Sequence, residues 1–182
     1  MKNRSILIAF LLMIAVASVC RVMGFAPQIA MAIFAGAMIR DKKMSFVLPL
    51  ISMFFSDLLY EVLFIYGYAP YGGFYEGQLI NYILIALVTV VGFWVKGMNW
   101  GRMFAASFAG TTFYFILSNF FVWLGFGGWA RAQTIEGLMM TYTDALPFYR
   151  NAVISTLVFS VILFGGYYLV QRFYLQRKQQ LA

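Results

Sequence analysis

Long apolar stretches, separated by short connections, constrain this chain more than any other feature of its sequence. A helix needs roughly 20 apolar residues to cross the ~30 Å hydrocarbon core of a bilayer. Six candidate stretches are present, at about residues 5–23, 26–39, 44–66, 79–95, 103–126 and 151–170. The sequence therefore predicts an all-α integral membrane protein, a bundle of six transmembrane helices that forms one domain over residues 1–182.

The second stretch is the exception, because about 14 residues rise only about 21 Å as a helix. Three explanations are open for residues 26–39: an earlier start, a helix with little tilt, or an incomplete helix packed inside the bundle.

The composition supports the membrane class. Hydrophobic residues make up 63% and charged residues 10% of the chain, and the mean hydropathy is +0.83. A soluble domain has about 25% charged residues, because its surface must face water. These proportions exclude a disordered chain, a disulfide-rich secreted module and a nucleic-acid-binding protein, despite the formal net charge of +7.

The positions of the positive charges predict the orientation of the bundle. With both termini inside, ten of the thirteen basic residues fall in inner segments: Lys2, Arg4, Arg40, Lys42, Lys43, Lys96, Arg102, Arg172, Arg177 and Lys178. The remaining three fall on the outer side: Arg21, Arg131 and Arg150. Because Lys and Arg accumulate in cytoplasmic loops, we expect a multi-pass protein with both ends in the cytoplasm.

Several residue types that catalytic and metal sites require are missing. The chain has no His and a single Cys, and it lacks nucleotide-binding glycine motifs and a serine-nucleophile signature. A hydrolase built on carboxylates would need a second aspartate in a membrane helix, whereas Asp144 is predicted in a loop. We therefore expect no enzymatic activity, no metal and no cofactor. For Cys20 we expect a buried small hydrophobic residue, with a thiol that acts on a ligand as the alternative.

Small residues recur four positions apart on three predicted helix faces. The pairs are Ala32 with Gly36, Ala105 with Ala109, and Ala106 with Gly110. Such pairs let helix backbones approach closely in lipid. Two interpretations are open: packing within this bundle, or docking of another membrane subunit.

Two carboxylates in the outer half of the third predicted helix are the most informative polar residues. Asp57 and Glu61 are four residues apart and so share one helix face. Carboxylates in a membrane segment are costly and commonly functional. Three interpretations are open: a structural pair held by Arg21 or Arg150, the lining of a substrate cavity open to the outside, or a proton path in a coupled transporter.

A second polar cluster lies toward the outer end of the fifth predicted helix and in the segment that follows it. Asn119 lies in an apolar helix, one turn before Trp123, and two interpretations are open: a hydrogen bond to a neighbouring helix, or a place in a binding site. We predict an outer loop over residues 127–150, with an amphipathic piece near 134–142. Long loops between short ones are commonly functional. Arg150 and Asn151 are then expected to open the sixth helix, where free N–H groups favour an anion or a carboxylate.

Several stretches resemble an uncharacterised family of small bacterial inner-membrane proteins. They are Arg21 with residues 24–28, residues 32–36 and 41–43, Pro49 and Leu50, Ser56 and Asp57, Ser118 and Asn119 with Trp123, residues 136–138, Tyr142, Ala145, Pro147 and Phe148, Asn151, and residues 163–165. The resemblance covers most of residues 20–166. That family is similar to the substrate-capturing S components of energy-coupling-factor vitamin transporters.

The resemblance implies a bacterial inner-membrane protein with six helices that captures a vitamin-sized solute near the outer surface. It also implies a membrane scaffold subunit with two ATPases as partners, although a few relatives work alone. The alternative is an accessory subunit of a larger membrane complex that transports nothing. The predicted solute-binding residues are Asp57, Glu61, Asn119, Trp123, Arg150 and Asn151, and the predicted charge partner is Arg21. In the solute interpretation, Trp123 stacks on a ring and the polar groups hydrogen-bond the solute.

Overall fold

The computed structural model describes residues 27–127 and 131–179, together with residues 16, 20 and 25. Side chains are described as far as residue 173. The predicted first helix, at about residues 5–23, lies almost wholly outside this part of the chain, and so does the predicted charge partner Arg21.

Five α-helices and no strand make up the described residues. They are α1 (Gln28–Met38), α2 (Lys42–Ile65), α3 (Gln78–Gly92), α4 (Trp100–Trp123) and α5 (Ile135–Gln179). The all-helical prediction is confirmed, whereas the count of six is not found, because the described residues hold five helices. Among the described residues, three segments are long and apolar enough to cross a membrane: Lys42–Ile65, Trp100–Trp123 and Ile135–Phe173.

Side chains of loop residues start two of the helices. The Asp41 carboxylate accepts hydrogen bonds from the backbone N–H groups of Lys43, at 2.9 Å, and Met44 at the start of α2. The Asn99 side chain accepts from the Arg102 N–H at 2.9 Å at the start of α4. Such caps satisfy backbone donors that have no partner in the first helical turn.

The prediction of an outer loop over residues 127–150 is wrong for most of that segment. Helix α5 begins at Ile135 and continues through Pro147 to Gln179. The Thr134 hydroxyl accepts from the Gly137 N–H at 3.1 Å, which caps the helix start. Proline and polar residues indicated a loop, but proline is tolerated inside apolar helices where neighbouring groups satisfy the freed backbone.

Helix α1 is the centre of the bundle. It has only 11 residues, or roughly 17 Å at about 1.5 Å per residue, and it packs against all four of the other described helices. Ala30, Ala32 and Ile33 have no exposed surface. Of the three explanations for its shortness, the structure therefore supports the incomplete helix packed inside the bundle.

Helices α1 and α3 cross with their backbones in contact. A Cβ atom added to Gly92 would overlap the backbone of Ile33, and one added to Gly36 would overlap the carbonyl oxygen of Thr89. On α4, Ala106 and Gly110 are buried, whereas Ala105 and Ala109 are exposed. Two of the three small-residue pairs thus serve packing inside this chain, and the third lies on an outer surface.

The basic residues at and beside the α1–α2 and α3–α4 connections gather at one end of the bundle. There the Lys42 ammonium lies 3.8 Å from the centre of the Phe93 ring, and the Arg102 guanidinium lies 5.7 Å from that of Trp94. The opposite end is formed by the end of α2, the start of α3, the end of α4 and the first half of α5. The two largest cavities lie at this second end, whereas a smaller one of about 90 Å³ lies beside the end of α1 and the first half of α2.

We expect Gly92→Ala to destabilise the protein by about 1–3 kcal/mol, because overpacking at a backbone contact forces the two helices apart. Gly166→Ala is the matched control, since nothing lies within 4 Å of its Cβ position. This control should be neutral or stabilising by up to about 1 kcal/mol, as alanine favours a helix. Thermal unfolding in detergent measures both, and equal midpoints would contradict the close crossing.

Candidate functional site

Asp57 is a fully buried carboxylate that holds the start of α3 against α2. It has no exposed surface. Its Oδ2 accepts a hydrogen bond from the Gln78 amide and another from the Tyr82 hydroxyl at 2.7 Å. Residues 78 and 82 are one turn apart on α3, so one carboxylate orients a whole helical turn.

Glu61 binds the connection between α2 and α3. Its Oε2 accepts from the backbone N–H of Phe74 at 3.1 Å. A Cβ atom added to Gly73 would overlap the carbonyl oxygen of Asp57, so the connection lies directly on the α2 backbone. The ring of Tyr71 packs 5.7 Å from that of Tyr60. Residues 66–77, which we call the α2–α3 loop, are therefore held folded over the end of the bundle.

Beneath this loop lies an inner chamber of about 280 Å³. None of the residues that line it carries a charge. They are Gln28, Ile29, Met53, Tyr75, Asn81, Ile85, Tyr114, Phe148, Asn151 and Ala152. Three carboxamides and two phenols thus share the wall with apolar and aromatic surface, which is the usual make-up of a small-molecule site.

A chain of hydrogen bonds fixes part of the chamber wall. The Asn81 amide donates to the Tyr75 hydroxyl, and its Oδ1 accepts from the Tyr114 hydroxyl at 2.7 Å. These bonds join the α2–α3 loop to α3 and α4. The Asn81 side chain is consequently held in one orientation.

An outer cavity of about 780 Å³ adjoins the inner chamber. Tyr75 and Phe148 line both spaces. The other residues around the outer cavity are Tyr71, Asn119, Val122, Arg131, Thr141, Asp144 and Ala145. Arg131 and Asp144 form an ion pair whose side chains are 45% and 60% exposed. Charge therefore occurs at the outer cavity but is absent from the lining of the inner chamber.

Asn119 lines the outer cavity, as expected of a site residue, but Trp123 lines neither space. The Asn119 amide donates to the Phe115 carbonyl of its own helix at 2.8 Å. The Trp123 indole N–H donates to the Ala132 carbonyl at 3.2 Å, and its ring packs 5.6 Å from that of Phe120. Trp123 thus joins the end of α4 to the residues before α5.

Asn151 lines the inner chamber, whereas Arg150 is exposed on α5 and lines neither space. The expected anion site at a helix start is wrong for both residues, because α5 begins at Ile135. Residues in the middle of a helix have their N–H groups in the helical ladder, so none is free for an anion.

The predicted site residues therefore separate into groups. Asn119 and Asn151 lie at the cavities, Glu61 holds the α2–α3 loop, and Asp57 holds α3. Within the described part of the chain, no three Cys, Asp or Glu side chains come close enough to share a metal ion.

Sequence analysis missed the polar residues of α3 and two partners from other helices. Gln78, Asn81 and Tyr82 follow the helical spacing of one face within an apolar stretch, and this pattern was a usable signal. Gln28 and Tyr114 carry no local signal of their place in the chamber, because that place depends on helices that are distant in sequence.

We expect Asp57→Asn to lower the free energy of unfolding by about 1–3 kcal/mol, because the hydrogen bonds that Oδ2 accepts from Gln78 and Tyr82 lose the charge of their acceptor. Tyr82→Phe, which removes one hydrogen bond and keeps the ring, should cost about 1 kcal/mol. Unfolding in detergent measures both variants. An unchanged midpoint for Asp57→Asn would show that this buried carboxylate does not stabilise the fold.

We expect Glu61→Ala to release the α2–α3 loop without unfolding the bundle. The amide of Phe74 loses its acceptor, so its hydrogen exchange should accelerate roughly tenfold. Glu76→Ala is the matched control, because Glu76 is an exposed carboxylate in the same loop. Hydrogen–deuterium exchange of residues 66–77 measures the difference, and equal exchange in both variants would contradict the role of Glu61.

No curated protein and no solved structure matches the sequence. A sequence model of the family of unknown function DUF6580 matches residues 1–180, and the chain therefore belongs to that family.

Proposed function

We propose that this protein is a membrane subunit that captures a small, vitamin-sized solute from the outer side of the bacterial inner membrane. One observation carries the proposal: an uncharged inner chamber adjoins a larger outer cavity at the end of the bundle opposite the basic loops. The proposed role involves no chemical conversion of the solute.

The orientation of the cavities supports capture from outside. Because basic loops remain in the cytoplasm, the end that carries Lys42 and Arg102 is assigned to the inner side. The cavities then open toward the outer side. We propose accordingly that both termini are cytoplasmic and that the bundle is of the S-component type.

The chamber wall supports a solute with a ring and several polar groups. Aromatic side chains provide contact area, and the amides and phenols provide hydrogen bonds that select orientation. Within the described residues, no group of side chains points to ATP hydrolysis, so we propose that uptake is energised by partner subunits, such as a membrane scaffold with ATPases.

A second candidate function is that of an accessory subunit in a larger membrane complex. It is favoured by the exposed face of α4, where Ala105 and Ala109 lie beside Phe108, which is 55% exposed. Small residues on such a face allow the backbone of another helix to approach. In this function the chamber would hold no solute.

Two variants separate these functions. Ala152→Trp fills the inner chamber, since Ala152 lines it, and Ala109→Trp adds the same bulk on the outer face of α4. If the protein captures a solute, native mass spectrometry of gently extracted protein should find one small molecule per chain. That molecule should be lost in Ala152→Trp and retained in Ala109→Trp.

Two outcomes would contradict capture of a solute in the inner chamber. A protein partner that is lost in Ala109→Trp, with no small molecule in any variant, would establish the accessory function. A small molecule retained at full occupancy in Ala152→Trp would show that the chamber is not its site.

A further inference from the structure

We infer that the inner chamber selects an uncharged solute group with a hydrogen-bond donor beside an acceptor, and that the Asn151 carboxamide hydrogen-bonds to this donor and this acceptor. The chemical class is a cyclic amide or a related nitrogen heterocycle that fits about 280 Å³. The inference rests on the proposed function, because it concerns the solute held in the same chamber.

The lining of the chamber disfavours an ionised group. A buried charge needs a partner of opposite charge or several hydrogen bonds to offset its lost hydration. The lining offers amides, phenols and apolar side chains but no charged group. Asp57 does not line the chamber, and it has no exposed surface. Ionised parts of a solute are better placed in the outer cavity, beside Arg131 and Asp144.

Among the three chamber amides, Asn151 is the one whose donor and acceptor are both available to a solute. Asn81 is held between Tyr75 and Tyr114. The Gln28 amide donates to the Ser56 hydroxyl at 3.4 Å, and only its Oε1 lacks a partner among the described residues. Asn151 is exposed, and its amide makes no hydrogen bond to any residue that the structure describes. A carboxamide offers a donor and an acceptor side by side, so it pairs with a cyclic amide edge through two hydrogen bonds.

The neighbours of Asn151 fit a flat ring. Phe148 lies one turn before Asn151 on α5, and Ala152 lies one turn after Phe148, so all three line the same chamber. Ile29, Met53 and Ile85 supply apolar surface within the same lining. A planar heterocycle can therefore contact aromatic and apolar surface with its faces while its polar edge meets Asn151.

The test compares two probes that differ by one donor, 2-pyridone and 1-methyl-2-pyridone, in ligand-observed NMR titrations of the full chain in detergent. Wild-type protein should bind 2-pyridone roughly tenfold more tightly, because the methylated ring leaves the Asn151 oxygen unpaired. Asn151→Leu should abolish this preference. Gln171→Leu is the matched control and should keep it, since Gln171 lies on the same helix but lines neither cavity, and its amide donates to the Tyr167 hydroxyl at 2.8 Å. Because Ala152→Trp fills the chamber, the signal that remains in this variant measures uptake of the probes by the detergent micelle.

Three results would overturn the inference: equal binding of both probes to wild-type protein, a preference that survives in Asn151→Leu, or no binding above that of Ala152→Trp. Melting temperatures of the Asn151 and Gln171 variants show whether each is folded. If mass spectrometry recovers a solute that Ala152→Trp loses but that has no adjacent donor and acceptor, the inference fails and the proposed function stands. Absence of any solute overturns the proposed function itself.

Discussion

The contact between the backbones of α1 and α3 is the constraint on which the rest of the structure depends. Gly36 and Gly92 let the two helices touch with no side chain between them, so the short α1 is enclosed by the other four described helices. Because α1 begins at Gln28, its amino-terminal end stops below the α2–α3 loop and forms part of the chamber floor. Close packing at one end of the bundle therefore coexists with open space at the other.

The polar side chains at the open end divide by what they bond. Asp57 and Glu61 accept hydrogen bonds from the protein itself, and each holds a neighbouring segment in place. Asn81 is similarly committed to two tyrosines. A polar group that is buried without such a partner loses its hydrogen bonds to water, and this loss costs more free energy than a formed hydrogen bond contributes. The groups that remain for a solute line the chamber and make few hydrogen bonds within the protein. Asn151 is the clearest example.

In the sequence, Asn119 stood out because its amide lies in an apolar helix, and Asn151 because it was expected to open a helix. Both residues lie at the cavities, and their role in binding a solute stays a prediction. Arg150 was assigned to a helix start that does not exist, because Pro147 and nearby polar residues indicated a loop. Gln28 and Tyr114 were missed because their place in the chamber depends on helices far away in sequence.

The sequence by itself determined the helical class, the apolar character of the long helices and the gathering of basic residues in alternate loops. These properties follow from composition and local spacing, which hydrophobicity and helix geometry convert directly into structure. Only the tertiary structure decided that α1 is enclosed, that α5 runs unbroken from Ile135, and that amides of α1, α3 and α5 face one chamber. These features depend on backbone contacts and hydrogen bonds between distant residues, such as Gly36 with Thr89 and Tyr114 with Asn81, which no local pattern encodes.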